Sequence, residues 1–239
     1  MPDQSQLVKY EKTLPDGGQV YAETNLKNFI AEPWNAVTSL AFLIPAFFWI
    51  VRLKNQYGKY KFLTFCIPLL IAGGLGSTLF HAFRVSKYLL MLDYLPIFIL
   101  TAAVSIFLWK KVVLKWAYLL MIALPILAIR VFLSDFFSPH EAMNISYFIT
   151  GTLIFLPALI LLFKTRFAGL SDFLLSLVCF SLSLLFRKID TQSVSYLPMG
   201  THWLWHLLGA AGSFFLSQYL YAVENIPRKT LSTEEVNIF

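Results

Sequence analysis

Thr201-His202-Trp203-Leu204-Trp205-His206 opens an apolar run that continues to residue 222 without an Asp, Glu, Lys or Arg. A helix of about 20 apolar residues is long enough to cross a bilayer. On a helix, His202 and His206 at i and i+4 lie one above the other on one face. Two imidazoles so placed can grip one metal ion, as in the two-histidine zinc helices of metalloproteases, although the Glu of that motif is absent. Ionisable groups inside a membrane-length segment are costly and mark a functional site.

The rest of the chain has the same character. Of its 239 residues, 58% are hydrophobic and 13% charged, with a mean hydropathy of +0.67; an ordinary soluble domain is about 25% charged. The apolar runs are continuous rather than alternating, which predicts a helical integral membrane protein and excludes a barrel. The net charge of +6 does not imply nucleic-acid binding. The Lys and Arg stand singly or in pairs between apolar runs, as membrane flanks do. Cys66 and Cys179 both fall within apolar runs and read as packing residues, with no disulfide framework or cysteine metal site. The first ~30 residues are polar, so no cleavable signal peptide is expected.

Seven apolar segments follow the polar N-terminal segment 1–31: residues 33–52, 61–82, 88–109, 114–133, 145–163, 169–187 and 201–222. The expected fold is therefore an all-α seven-transmembrane bundle over 32–222, with a polar tail at 223–239. Pro15-Asp16-Gly17-Gly18 signals a turn in the N-terminal segment. Pro45, Pro68, Pro96, Pro125 and Pro157 lie inside apolar runs, where membrane helices tolerate proline as a kink. Gly73, Gly74, Gly76, Gly209 and Gly212 suit close helix contact. With seven spans the termini lie on opposite sides. Seven Lys and Arg fall on the N-terminal side and eleven on the other, with Arg130 left out near the end of the fourth run. The positive-inside rule then places the N-terminus outside or in a lumen and the C-terminus in the cytosol.

On that topology the polar residues gather at one depth. Ser77 and His81, four apart, close the second span on the outer side. Asp93 lies about one turn into the third, and His202 and His206 open the seventh. Glu32 and Asn35 open the first span, and Arg187 and Asp190 close the sixth. A catalytic zinc takes three protein ligands and keeps a further position open, and His81, His202 and His206 offer three imidazole nitrogens. Asp93 could accept a proton from water, and Ser77 could donate to a developing oxyanion. Such a site in a lipid-accessible bundle suits hydrolysis of an amide or ester in a membrane lipid. Trp203 and Trp205 read as interfacial belt residues, and His140 as a solvated loop residue. Asn144-Ile145-Ser146 fits a glycosylation sequon at the membrane edge.

Ordered motifs carry a family resemblance. They are Ala31-Glu32-Pro33-Trp34-Asn35, Gly76-Ser77-Thr78-Leu79-Phe80-His81, Leu92-Asp93-Tyr94-Leu95-Pro96, Ile189-Asp190, and the His202…His206 pair. In these the chain resembles the alkaline ceramidases, within the wider CREST group of seven-span membrane hydrolases, from about residue 20 to 222. The resemblance implies that His81, His202 and His206 hold zinc, with Asp93 and Ser77 assisting catalysis. The implied reaction is ceramide plus water giving a sphingoid base and a fatty acid. It also implies a calcium site, for which Glu23, Asn25 and Glu32 match; Val20 and Tyr21 stand where the family has an aspartate and a tryptophan. Two other readings share the site chemistry: a hydrolase of another acyl ester or N-acyl amide, and a receptor resembling the adiponectin and progestin receptors, which are inverted in the membrane.

Overall fold

The computed structural model describes residue 14, residues 16–113, 132–133, 136–137 and 139–226. Among them the regular structure is helical, with no strand. Helix α1 spans Pro33–Ser39 and continues through a 3-10 turn, Leu40–Phe42, into α2, Leu43–Arg52. Then come α3 (Lys61–Phe83), α4 (Lys87–Val112), α5 (Pro139–Lys164), α6 (Leu170–Lys188), a 3-10 turn at Thr191–Ser195, and α7 (His202–Glu224).

Five of these units are long and apolar enough to cross a membrane: Pro33–Arg52, Lys61–Phe83, Lys87–Val112, Glu141–Lys164 and Leu170–Lys188. Their surfaces turn apolar side chains outward, with Ile44, Val51 and Phe148 each at least 69% exposed. Water would not tolerate so broad an apolar exterior, whereas lipid does. The chain is thus a multi-pass integral membrane protein. The expected fourth span, 114–133, lies almost entirely outside the described residues. The expected seventh forms α7, which is long enough but less apolar than the five. Its two histidines, Gln218, serines and glycines lower its hydropathy. The physical reason is its position: α7 packs on α6, α1, α2, α3 and the 3-10 turn between α1 and α2. A helix so enclosed shows lipid little of its surface.

Prolines 45, 68, 96 and 157 sit inside α2, α3, α4 and α5, as expected of membrane helices. Pro125 and the residues after 226 lie outside the described set. Cys66 and Cys179 are free thiols.

The hydrophobic core occupies the end of the bundle where α7 finishes. Trp49, Leu53, Leu63, Leu108, Leu161, Leu162, Tyr219 and Val223 are all nearly inaccessible there. The Tyr219 hydroxyl donates to the Ala158 carbonyl at 2.8 Å, which removes the penalty of burying it. Two caps lock this end. Glu224 accepts the N–H groups of Phe62 (2.8 Å) and Leu63 (3.3 Å), satisfying orphan donors at the start of α3. Lys111 donates to the carbonyls of Val223, Glu224 and Ile226 at the end of α7. The histidine end of α7 lies about 25 Å away, at 1.5 Å per residue.

Candidate metal centre

His81 falls in the last turn of α3, and His202 and His206 open α7. One ring nitrogen from each lies within 4.8 Å of the others, and all three residues are buried. Their ring centroids stand 4.8 to 5.4 Å apart.

Hydrogen bonds fix the tautomers of two rings. His81 Nδ1 donates to Glu32 Oε2, which leaves Nε2 with its lone pair. His206 Nδ1 meets Thr38 Oγ1 at 3.1 Å and Ser39 Oγ at 3.3 Å. The Thr38 hydroxyl already donates to the Trp34 carbonyl at 2.7 Å, so it accepts from His206 Nδ1–H. Orienting bonds of this kind, from the far nitrogen to a carboxylate or hydroxyl, are typical of metal-ligating histidines. His202 is held differently: its ring stacks on Tyr21 at 3.9 Å, and its buried Nδ1 has no hydrogen-bond partner. One nitrogen of His202 converges with one from each of the other two rings. Three neutral imidazoles are a donor set that zinc accepts, so the residues fit the expected zinc.

The sequence did not reveal what holds this centre. The N–H groups of Ala31 and Glu32 donate to the carbonyls of Ala82 and His81, closing the frayed end of α3 with the loop before α1. Arg84 follows in a left-handed conformation (φ 50°) that turns its side chain back under the loop. Its Nε donates to Asp16 Oδ2 at 2.7 Å, Nη2 to Asp16 Oδ1 at 3.2 Å, and Nη1 to Glu32 Oε1. All three side chains are buried. Burial pushes the Glu32 carboxyl up, but His81 and Arg84 outweigh it and hold it below its ordinary value. Asp16, Arg84, Glu32 and His81 thus form one chain of charged contacts that ends on a candidate ligand.

Asp190 performs a second anchoring role. Its Oδ1 accepts from the N–H groups of Thr201 (2.7 Å) and His202 (2.8 Å), and its Oδ2 from Ala22 N–H (2.9 Å). The Thr201 side chain makes no cap, so Asp190 caps α7 from outside the helix. Gly200 makes this possible: a Cβ there would stand 2.2 Å from Asp190 Oδ1.

Ser77 and Asp93 line the same cavity as the three histidines. Ser77 Oγ accepts from Ser39 Oγ at 3.0 Å, which leaves its own proton for another acceptor. Asp93 is half-buried, and no hydrogen bond or ion pair engages its carboxylate among the described residues. Gly76 sets the distance between α3 and α4 here, because a Cβ would lie 2.1 Å from the Leu92 carbonyl oxygen. This cavity measures about 310 Å³. A second cavity of about 160 Å³ shares Phe42, Ile97, Thr101 and Trp205 as walls and continues among apolar side chains such as Leu70, Val104 and Leu216. Trp205 therefore faces the cavities, whereas Trp203 hydrogen-bonds the Gly200 carbonyl. Asn144 lies within helix α5.

The oxygens expected for calcium are placed otherwise. Glu23 accepts the N–H groups of Trp34 (2.6 Å) and Asn35 (3.0 Å), capping α1, and Asn25 Oδ1 accepts from Lys27 N–H at 3.1 Å. Glu32 Oε1 accepts from Thr24 and Arg84, and Oε2 from His81. As placed, this set does not fit calcium: each carboxylate oxygen is already engaged, and a divalent ion would lie beside the Arg84 guanidinium.

No protein-family model matches this chain, and no curated protein matches it.

Proposed function

We propose that the protein is a zinc-dependent intramembrane amidase that hydrolyses ceramide to a sphingoid base and a fatty acid. Its bundle would have seven spans, with the N-terminus and the site on the extracytoplasmic or luminal side. One observation carries the reading. Three buried histidine nitrogens converge at the polar end of a cavity that adjoins an apolar one. An N-acyl lipid has the same polarity along its length: an amide near the head and a chain beyond it.

Zinc bound to the three histidines would supply Lewis acidity, polarising the amide carbonyl and acidifying the attacking water. The protein's own groups do the rest. Asp93 is the cavity carboxylate available to take the proton from water and return it to the leaving amine nitrogen. Ser77, its oxygen anchored by Ser39, can donate its proton to the oxygen that gains charge on the carbonyl. The orienting bonds of His81 and His206 hold two rings in place throughout. The amide C–N bond breaks, the acyl carbon gains the water oxygen as carboxylate, and the nitrogen departs as the amine.

The test is fatty-acid release from ceramide by the purified, detergent-solubilised protein, with and without a zinc chelator and after zinc is added back. Release stopped by the chelator and restored by zinc supports the reading. A folded, zinc-loaded protein that leaves every N-acyl sphingoid base uncut overturns it.

A further inference from the structure

Arg187 closes α6 against the cavity that holds the histidines, yet none of the roles above uses it. It is 3% exposed. Its Nη2 donates to Gln19 Oε1 at 2.8 Å and lies 2.9 Å from Met143 Sδ. Its Nε is buried with no hydrogen-bond partner. The guanidinium lies over the rings of Tyr147 (5.1 Å) and Trp205 (5.5 Å), which hold its faces and leave its edge for hydrogen bonding.

Among the described residues no carboxylate lies within ion-pair distance of Arg187; Asp93, which lines the same cavity, acts on its charge only at longer range. Asp16 and Glu32 pair with Arg84, and Glu32 also accepts from His81. Asp190 is satisfied by three backbone N–H groups. Tyr21, beside Arg187, offers a phenol rather than a carboxylate. A buried cation without a contacting anion is strongly unfavourable. A cation kept in this state at a cavity wall points to an anion that arrives with a ligand.

We propose that Arg187 is an oxyanion-recognition point, taking the carboxylate or phosphate oxygens of an acyl lipid whose chain occupies the adjoining apolar cavity. The source of the oxyanion rests on the hydrolase reading: it is either the carboxylate of the fatty acid released from ceramide or, where a phosphorylated acyl lipid takes the place of ceramide, the phosphate of its headgroup. The binding itself does not rest on turnover.

The experiment uses the full-length protein, stripped of metal, in neutral detergent. Affinities are compared for oleate, 1-oleoyl lysophosphatidate and oleyl alcohol, with the wild type, Arg187→Gln and Arg187→Lys. A charged hydrogen bond is worth enough to predict at least about tenfold tighter binding of one of the anionic lipids than of the alcohol. Arg187→Gln should erase that preference while keeping the affinity for oleyl alcohol, and Arg187→Lys should keep part of it. Preference for oleate assigns the site to product, and preference for the phosphate lipid assigns it to substrate. Equal wild-type affinity for all three lipids overturns the proposal, as does a folded Arg187→Gln that still prefers the anion. Should Arg187→Gln fail to fold, judged by circular dichroism, the wild-type comparison and Arg187→Lys decide by the same criteria. If the anion preference holds but the zinc-restored protein cuts no acyl lipid, the anion site stands and the hydrolase reading falls.

Discussion

Replacing Arg84 by Met should separate stability from metal affinity. The substitution keeps the length of the side chain and removes its charge. Asp16 (2% exposed) and Glu32 (0%) would then face each other as buried carboxylates without their shared cation. Breaking a buried ion pair from one side destabilises by about 3–5 kcal/mol, chiefly because the remaining charge stays buried. For a chain of this size each kcal/mol lowers Tm by about 2–4 °C, so the expected loss is roughly 6–20 °C. Glu32 also orients His81, and loss of an orienting partner weakens metal affinity by about 10–100-fold. The triple variant Asp16→Asn, Glu32→Gln, Arg84→Met removes the orphaned charges together. It should recover much of the Tm, because neutral, well-packed replacement of a buried ion network is often harmless. It should not recover zinc affinity, because its Glu32→Gln change replaces the carboxylate that orients His81. Thermal unfolding in detergent and zinc competition against a chelator read the two quantities separately. An Arg84→Met protein within about 2 °C of wild type, with zinc affinity unchanged, would refute the idea that this network supports the centre.

Further outcomes follow from the same geometry. His202→Ala or His206→Ala should abolish bound zinc and hydrolysis while the far-UV helical signal persists, since the hydrophobic core lies at the other end of α7; metal analysis of the purified variants checks it. Asp93→Asn should abolish fatty-acid release and largely keep zinc, because the carboxylate makes no contact that holds a histidine; joint loss of metal and fold would reassign it as structural. Gly76→Ala should separate α3 from α4 against the Leu92 carbonyl, lowering stability by about 1–3 kcal/mol and activity with it, as thermal unfolding and ceramide turnover would show. Glu32 titrates below its ordinary value of 4.5. Its contribution to stability is therefore fully present above that pH and is lost as pH falls through the lower, folded value. Unfolding measured across pH 3–7 should show an acid-side loss that Glu32→Gln flattens.

The sequence made legible what is local. Apolar runs mark the membrane helices because each run is continuous, and the four-residue spacing of His202 and His206 announces a shared face. The polar residues expected at one depth, Ser77, His81, Asp93, His202 and His206, do line one cavity. What the sequence hid is non-local. Arg84 looks like an ordinary flanking charge at a helix end, and only the fold carries it inward. Asp16 meets Arg84 across 68 residues, and Asp190 reaches both Ala22 and the start of α7. Tyr21 sits in a polar segment with no periodicity, and nothing near it in sequence points to a stack on His202.

The two ends of the bundle work by different physics. At the Glu224 end, apolar packing and two backbone caps join α3, α4 and α7. At the histidine end, residues 16–39 supply the partners that orient His81, His202 and His206: Glu32, Tyr21, and Thr38 with Ser39. The N-terminal segment is therefore a wall of the site, with Gly18, Gln19 and Tyr21 lining its cavity. Sites about 25 Å apart with no shared partners perturb stability independently. Changes around Glu224 should thus act on stability alone, whereas changes between residues 16 and 39 act on the metal centre through its hydrogen bonds. The fully buried charged groups Asp16, Glu32, Arg84, Arg187 and Asp190 thus stand at the histidine end, and the densest apolar packing stands at the other.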